Sequence, residues 1–580
     1  MPVVHNRFSV LESAMPSLLY AALLTCAVVS STLAEQPQVT TSLGTLVGSV
    51  QQTLKGRNFF AFQGVPYAKP PVGKHRFKQS VPIVPWTGVY NATRAPAMCY
   101  QEVMPEMAPN IPLEYMGSED CLYLNIYTPK LPTEEAGGKL LDVIVYIHGG
   151  AFKVGAGDIW GPLILLDRDV ILVTFNYRLG ILGFLSLEDN VVPGNNGLKD
   201  QRLALQWVQN HIASFGGDPN KVTIAGMSAG GASVHFHLLS PLSAGLFNKA
   251  IPNSGSALNP WAIAKNPKAS ALALAQLVGC PINDTMLTLR CLRERPAEHL
   301  LVAGRIMSGP DGLTLPFLPV VEPQGPNAFI DKHPIDIIEA KGFNDVPALF
   351  SYCDDEGSMF ALKIFFDEKT LETVESNWDV IIPKGVMIDI EPAKGVEIAQ
   401  KLRKRFLGDK TLKENARGYS QMFGERLFVD GIQKSVMLHA EHQTSPVYSY
   451  RFSFVSPTNF SLLESYLARL GYEGGASHGS DNSYVFDATY LKPLKDFPEL
   501  MVMAETMTDV WMKFIAEDPV VGWSSAKSGL PRFTFLDIKS SNPSENLWRT
   551  EESVGQQFWD SLNLPQPSSK SSQNGQHSEL

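Results

Sequence analysis

Hydrophobic positions along this chain follow two different periods, and their order predicts the fold class. The run QVTTSLGTLVGSV at residues 38–50 alternates as two paired strands do. Helical periods extend over residues 198–214 and 229–239. Runs of apolar, often β-branched residues predict further strands at residues 142–147, 170–175, 222–225, 346–352 and 447–454. Strands that alternate with helices indicate an α/β fold, with a large, mostly parallel central sheet flanked by helices on both faces.

The two ends of the chain differ from its body. Residues 18–34 are apolar or small and end in Thr32-Leu33-Ala34, which predicts a secretory signal peptide over residues 1–34. Met15 is an alternative start, and a mature hydrophobic helix is the other interpretation; a membrane span is not predicted for so short a stretch. Abundant Ser, Gln and Pro predict a disordered tail over residues 563–580. Because no long linker interrupts the chain between them, residues 35–562 are predicted to form one domain with insertions.

The composition is that of a globular protein with a large core. Of the 580 residues, 44% are hydrophobic and 18% are charged, which is enough apolar material for such a core. The net charge of -10 is spread along the chain without a basic cluster. Nucleic acid is therefore not an expected partner.

Cysteines and glycosylation motifs both predict an exported protein in an oxidising compartment. Four cysteines can pair in three ways, and short loops favour Cys99 with Cys121 and Cys280 with Cys291. Cys353 then remains as a buried thiol. Sequons of the form N-x-[ST] predict glycosylation at Asn91, Asn283 and Asn459.

The segment GMSAG, residues 226–230, sets a serine between glycines where a strand gives way to a helix. The pattern G-x-S-x-G is expected by chance about 0.25 times in a chain of this size, so it is weak without context. The context is a β-branched run before it and a helix after it, the arrangement that raises a serine hydroxyl above a sheet. Gly226 and Gly230 leave room for the sharp turn. We therefore predict that Ser228 is a nucleophile; an ordinary glycine turn is the alternative.

An earlier glycine-rich loop supplies candidate oxyanion donors. The segment YIHGGAF follows the run that ends at residue 147, and its consecutive glycines let backbone N–H groups turn toward one point. Gly149, Gly150 and the N–H of Ala229, the residue after the nucleophile, are predicted to form an oxyanion hole. The alternative is a simple glycine turn after a strand.

A hydrolase of this architecture needs an acid and then a histidine later in the chain, each after a strand. The segment SYCDDEGSMF offers Asp354, Asp355 and Glu356, and the residue types alone do not choose among them. A solvated acidic turn is the alternative.

The histidine candidate is His478, in the segment GGASHGSDNSYVF. Its position in the predicted order and its flexible neighbours favour a general base, although a lone histidine is more often structural. His235 and His237 lie too far along the helix after Ser228 to reach its hydroxyl.

These motifs together make the chain resemble the type-B carboxylesterases of the cholinesterase family, and most of all the secreted esterases of insects. The resemblance covers about residues 40 to 560 and rests on segments 62–77, 118–129, 143–152, 175–186, 194–231, 354–358 and 475–481. It implies an α/β-hydrolase fold without a metal or organic cofactor. It also implies Glu356 as the acid, because the family's acid motif ends in Glu-Gly. The same disulfide pairs are implied, and the segment SGSALNPWA is similar to the family's acyl-pocket segment, which would put Trp261 beside the substrate.

Two departures from the family pattern bear on the substrate. Most relatives have Glu before the nucleophile and juvenile hormone esterases have Gln, whereas this chain has Met227. Cholinesterases carry a tryptophan in the loop that corresponds to residues 99–121, and this chain has none there. A cation–π site for a quaternary ammonium group is therefore not evident, and neutral, lipophilic esters are the expected substrates.

The sequence thus predicts a serine carboxylic-ester hydrolase that acts on small-molecule esters through an acyl-enzyme. A juvenile hormone esterase-like hydrolase is the alternative within that class. A catalytically inactive, cholinesterase-like binding protein is the alternative outside it, but such relatives typically lack a triad residue. The ending His577-Ser578-Glu579-Leu580 resembles signals that retain some carboxylesterases in the endoplasmic reticulum. Secretion is the expectation, and retention in that lumen is the alternative.

Overall fold

The computed structural model describes residues 36–103, 115–132, 139–308, 315–365, 367–388, 390–458, 460, 462–488, 493–526 and 532–564. The predicted signal peptide, Asn459, the tail from residue 565 and the four C-terminal residues lie outside this part of the chain. Among the described residues, no helix is long and apolar enough to cross a membrane.

Strands are the framework of the molecule. In chain order they are β1 Gln38–Thr41, β2 Gly44–Val47, β3 Ser49–Gln52, β4 Asn58–Pro66, β5 Val89–Asn91, β6 Gln101–Glu102, β7 Tyr115–Met116, β8 Tyr123–Thr128, β9 Leu141–Ile147, β10 Trp160–Gly161, β11 Val170–Phe175, β12 Gly217–Met227, β13 Lys249–Asn253, β14 Ala348–Cys353, β15 Val447–Phe452, β16 Asp487–Ala488, β17 Arg532–Ile538 and β18 Leu547–Glu552.

Helices connect and cover these strands. They are α1 Gly180–Phe184, α2 Asn196–His211, α3 Ala229–Leu239, α4 Pro267–Leu277, α5 Thr285–Glu294, α6 Ala297–Met307, α7 Pro334–Glu339, α8 Ser358–Phe365, α9 Glu368–Ser376, α10 Trp378–Gly385, α11 Pro392–Phe406, α12 Ala416–Gly424, α13 Asp430–His442, α14 Leu462–Arg469, α15 Pro498–Ala516 and α16 Val554–Ser561. A π-helical turn, Glu425–Val429, joins α12 to α13.

An 11-stranded sheet organises the fold, in the spatial order β18, β17, β15, β14, β13, β12, β9, β11, β8, β4 and β3. The pairings from β17 through β11 are parallel, and the outer pairings at both edges are antiparallel. Parallel strands are joined by crossovers, so the carboxyl ends of β9, β12, β13 and β14 meet at one edge. The prediction of a mostly parallel sheet in an α/β fold is confirmed.

Both faces of the sheet are covered. Along β9 the side chains of Val143, Val145 and Ile147 enter one hydrophobic cluster, which α2 and α3 share. Ile144 and Tyr146 enter a second cluster, which α15 shares. Successive residues of a strand face opposite sides, so β9 is apolar from Val143 to Ile147 because each side of it is buried there.

Most predicted elements are present, although the ends of several differ from the prediction. The hairpin of β1 and β2, strand β11 and helix α3 match the predictions. Strand β14 begins at Ala348 rather than residue 346, since Pro347 has no N–H to donate. Helix α2 begins two residues earlier than predicted and gives way to a 3-10 turn at Ile212. Strand β12 extends back to Gly217 through an irregular register between Gly217 and Val222.

Candidate active site

Ser228 occupies a strained turn between β12 and α3. Its φ is 61° and its ψ is -123°, a backbone conformation that is costly for a residue with a side chain and is kept only where the surroundings enforce it. The N–H of Ser228 donates to the carbonyl of Asn253 at 2.9 Å. Its own carbonyl accepts from Ala232 N–H, also at 2.9 Å. The turn is therefore held by backbone hydrogen bonds on both sides of the serine.

The glycines of the GMSAG segment are required by close backbone contacts. A Cβ on Gly226 would lie 2.6 Å from the carbonyl oxygen of Ile147 and 2.7 Å from the backbone of Gly230. A Cβ on Gly230 would collide with the same carbonyl oxygen of Ile147. Real Cβ atoms do not approach other atoms this closely. The end of β9 and the first turn of α3 thus meet only because both positions are glycine.

The predicted oxyanion loop lies beside Ser228. A Cβ on Gly149 would be 3.0 Å from the Cβ of Ser228. The φ angles are 110° at Gly150 and 56° at Ala151. The N–H groups of Gly149, Gly150 and Ala151 donate to no other described residue. Ala229 is the first residue of α3, where helical N–H groups have no partner within the helix. Unpaired N–H groups are thus available on two sides of the serine.

Of the three adjacent carboxylates after β14, Glu356 is the one hydrogen-bonded to Nδ1 of His478. The other carboxylate oxygen, Oε1, accepts from Ser254 Oγ at 2.6 Å and from Cys353 N–H at 2.8 Å. Glu356 is 1% exposed, so these donors fix the carboxylate in a buried place. The arrangement can hold the imidazole in one tautomer and stabilise its charged form.

Asp354 and Asp355 have other partners. Asp354 accepts a hydrogen bond from Ala476 N–H, and burial raises the pKa of its carboxyl to about 6. Asp355 accepts from Tyr472, Gly475 and Ser420. Neither carboxylate is hydrogen-bonded to the imidazole.

An aromatic cluster packs against His478 through the ring of Phe428. The ring of Phe428, from the π-helical turn, lies 4.5 Å from the imidazole centroid. The ring centroid of Trp261 lies 5.7 Å from that of Phe428 and 6.5 Å from that of Phe152. The indole N–H of Trp261 donates to the carbonyl of Leu427 at 2.7 Å. The cluster makes one side of the site apolar, and π-helical turns are often found at functional sites.

Met227 connects the two sides of the site. A Cβ on Gly479, the residue after His478, would lie 3.0 Å from Cε of Met227. The segment that carries Ser228 and the loop that carries His478 are therefore in contact through the methionine thioether. A flexible thioether fits such an irregular gap.

The two helical histidines set aside in the sequence are structural. Nε2 of His235 lies 2.9 Å from Nε2 of His439, and Nδ1 of His235 accepts from Ala257 N–H at 3.1 Å. His237 contacts Ser243 and Gln201. Burial lowers the pKa of His237 to about 3 and that of His439 to about 4. These rings are buried and neutral rather than placed at the carboxyl edge of the sheet.

Three contributors to the site escaped the sequence reasoning: Ser254, Phe428 and Asp481. Asp481 is buried, and its Oδ2 accepts from Asn253 Nδ2 at 2.5 Å and from Tyr450 Oη at 2.8 Å. The backbone carbonyl of Asn253 in turn accepts from Ser228 N–H. The Asp481 carboxylate is therefore linked to the nucleophile's turn through Asn253. Ser254 follows the end of a strand, and Asp481 follows His478 by three residues. These positions in the sequence are the only features that could have pointed to the two residues. No periodicity points to Phe428.

Both predicted disulfides are present, Cys99–Cys121 and Cys280–Cys291. Cys353 is a buried free thiol, and burial raises its pKa. Of the sequons, Asn91 and Asn283 are exposed. Among the described residues, no group of His, Cys, Asp and Glu side chains could hold a metal ion.

Comparisons with known proteins agree with one another. The family model described as "Carboxylesterase family" matches residues 35–559. Esterase FE4 of Myzus persicae is 38% identical over 90% of this chain and 90% of its own length. A carboxylic ester hydrolase of Bombus ignitus is 38% identical over 91% of this chain and 95% of its own length.

Juvenile hormone esterases are also similar. That of Tribolium castaneum is 37% identical over 82% of this chain and 83% of its own length. The crystal structure of juvenile hormone esterase from Manduca sexta, with OTFP covalently attached, superposes with a TM-score of 0.78 at 29% identity, covering 91% of this chain and all of that chain.

Proposed function

Because the chain belongs to the carboxylesterase family and is a carboxylesterase, we propose that it hydrolyses neutral, lipophilic carboxylic esters through an acyl-enzyme on Ser228. The observation that carries the proposal is the joint arrangement of the strained Ser228 turn, the Gly149–Gly150 loop beside it and the Glu356–His478 hydrogen bond. Together they offer a nucleophile, an oxyanion site and an oriented base.

In the proposed reaction, His478 takes the proton from Ser228 as the hydroxyl attacks the ester carbonyl. Glu356 holds Nδ1 of the imidazole and stabilises the imidazolium. The oxyanion is bound by N–H groups of Gly149, Gly150 and Ala229, with that of Ala151 available next along the loop; each such donor is worth about 3 kcal/mol. His478 returns the proton to the departing alcohol, and water releases the acid by the same path.

The proposed substrate class rests on what surrounds His478. Trp261, Phe428 and Phe152 give an apolar wall, and the residue before the nucleophile is Met227 rather than a carboxylate. An apolar wall favours binding of hydrocarbon groups. Without a carboxylate at the position before Ser228, the site also lacks one source of attraction for a cationic substrate. The similarity to two juvenile hormone esterases keeps a hormone ester as a second candidate.

Hydrolysis of a short-chain aryl ester tests this proposal. The wild type should turn the ester over, while folded Ser228→Ala and His478→Ala should each lose several orders of magnitude in kcat, since triad members act as a unit. An inactive binding protein would show no turnover in the wild type. Comparison of an aryl ester with a juvenile hormone methyl ester, by kcat/KM, then separates the two substrate classes.

We also propose that the protein passes through the secretory pathway. The support is the pair of disulfides, which persist in oxidising compartments, and the exposure of Asn91 and Asn283. Glycosidase treatment of protein from insect cells should shift its mass, and Asn91→Gln and Asn283→Gln should each remove part of that shift. Protein without glycans would contradict the proposal.

A further inference from the structure

The turn after β14 carries two carboxylates that Glu356 does not explain. Both contact the loop of residues 472–478, called here the base loop, rather than the imidazole. Asp354 Oδ1 accepts from Ala476 N–H at 2.7 Å. Asp355 Oδ2 accepts from Gly475 N–H at 3.0 Å and from Tyr472 Oη at 2.7 Å. The three consecutive acidic residues thus divide between the imidazole and its loop.

The fit between these carboxylates and the base loop is close. A Cβ on Gly474 would collide with Asp355 Oδ2, and a Cβ on Gly475 would collide with Asp354 Oδ1. The loop backbone can approach the carboxylates only because both residues are glycine. The N–H of Asp355 also donates to the carbonyl of Ala476 at 3.0 Å, so backbone and side chains fasten the same short segment.

Asp355 is itself anchored. It is 3% exposed, and its Oδ1 accepts from Ser420 Oγ of α12. A buried carboxylate with three donors is costly to remove, because each donor is then left without a partner. Asp355 therefore connects the base loop to α12.

We propose that Asp355, assisted by Asp354, is a positioning residue that holds the base loop so that His478 faces Ser228. The proposal rests on His478 being the general base. Glu356 fixes one edge of the imidazole, while Asp355 and Asp354 fix the backbone three and two residues before it, respectively. Displacement of a catalytic group by about 1 Å can cost about 100-fold in rate, so release of the loop should reduce turnover without removing the binding surface.

The test is a set of variants assayed for kcat, KM and titratable sites. Asp355→Ala removes every acceptor, and we expect kcat per titrated site to fall about 100-fold with KM within about twofold. Asp355→Asn keeps an oxygen that can accept from Gly475 N–H, so its kcat per titrated site should lie between that of Asp355→Ala and that of the wild type. Titration of active sites with a neutral p-nitrophenyl phosphonate counts the competent molecules. A purely structural role would lower that count and leave kcat per site unchanged, which would overturn the proposal.

The matched control is Asp345→Ala. Asp345 also accepts from two loop N–H groups, those of Thr444 and Ser445 at 3.0 and 2.9 Å, but it precedes β14 and so lies at the opposite end of that strand. It should leave kcat per site unchanged. An equal loss in this variant would contradict a specific role for Asp355.

Two further pairs of variants make the test decisive even if Asp355→Ala does not fold. Should Asp355→Ala fail to fold, Asp355→Asn still carries the test, because an unchanged kcat there together with an unchanged kcat in Tyr472→Phe would overturn the proposal. Ser228→Ala and His478→Ala are assayed alongside. If they keep activity, the proposed reaction is wrong; if they lose it while the Asp355 variants do not, only the positioning role is wrong.

Discussion

The turn that carries Ser228 and the loop that carries His478 are held in place by different kinds of interaction. Around Ser228 the constraint is steric: Gly226 and Gly230 press against the carbonyl of Ile147, and backbone hydrogen bonds complete the turn. Around His478 the constraint is polar, since the carboxylates that follow β14 accept hydrogen bonds from N–H groups of its loop. The glycines and the serine of the first arrangement lie within five residues of one another, whereas the second joins side chains to a loop more than a hundred residues away. The two regions should therefore respond differently to mutation and pH.

The largest expected effect separates the three acidic residues after β14. Glu356→Gln should lower kcat by about 10⁴-fold, because the amide no longer stabilises the imidazolium or enforces its tautomer. Asp354→Asn should stay within a fewfold of the wild type, since its amide oxygen still accepts from Ala476 N–H. Steady-state kinetics with one aryl ester measures kcat for both variants. A larger loss in Asp354→Asn than in Glu356→Gln would assign the acid of the triad to Asp354.

The steric arrangement at Ser228 should fail when a single methyl group is added. Gly230→Ala sets a Cβ against the backbone oxygen of Ile147, which cannot move without displacing β9. We expect the free energy of unfolding to fall by at least about 3 kcal/mol, the upper range for overpacked sites. Gly325→Ala is the control, because no atom lies within 4 Å of a Cβ there. Denaturant unfolding of both variants measures the difference, and equal stabilities would contradict the steric account.

Acid should weaken the contact between α3, the helix that follows Ser228, and α13. His235 of α3 contacts His439 of α13, and burial lowers the pKa of His439 from 6.5 to about 4. A group whose pKa is lower in the folded state stabilises the fold above its unfolded pKa, and this contribution is lost as the pH falls through the folded value. Between pH 7 and pH 4 we expect a loss of about 3 kcal/mol from His439 alone.

Chemical denaturation across that pH range checks this expectation. His439→Gln should flatten the dependence of unfolding free energy on pH in the window between about 4 and 6.5. A variant with the same pH dependence as the wild type would show that the pair does not titrate as its burial implies.

The smallest expected effect concerns the residue that touches both regions. Met227→Glu adds a carboxylate beside Ser228 and next to Gly479, and a negative charge there attracts cations. We expect the preference for a neutral ester over a choline ester of the same acyl group to narrow by about tenfold in kcat/KM. A wild type that already prefers the choline ester would refute the proposed substrate class.

The sequence predicted the steric region well and the polar region only in part. Gly226, Ser228 and Gly230 lie within five residues, so strand, turn and helix could be recognised from one short segment, and the α/β fold followed from alternating periods. Residue types alone left Asp354, Asp355 and Glu356 equivalent, because which carboxylate meets His478 depends on how β14 and the base loop are brought together. Only the resemblance to a family favoured Glu356.

Contacts between distant segments explain what was missed. Ser254 supports Glu356 from the end of β13, and Phe428 reaches His478 from a π-helical turn. Neither is distinguished by local pattern, since a serine after a strand and a phenylalanine in a helix are ordinary. The disulfides could be predicted because short loops join their cysteines.

The central claim is that Ser228 is the nucleophile, and covalent labelling tests it most directly. The wild-type protein is treated with a neutral p-nitrophenyl phosphonate, digested and analysed by mass spectrometry. The account predicts one phosphonyl group on the peptide that carries Ser228, formed in step with loss of esterase activity, and no label in His478→Ala on the same time scale. Complete inactivation with the label on another residue, or with Ser228 unmodified, would contradict it.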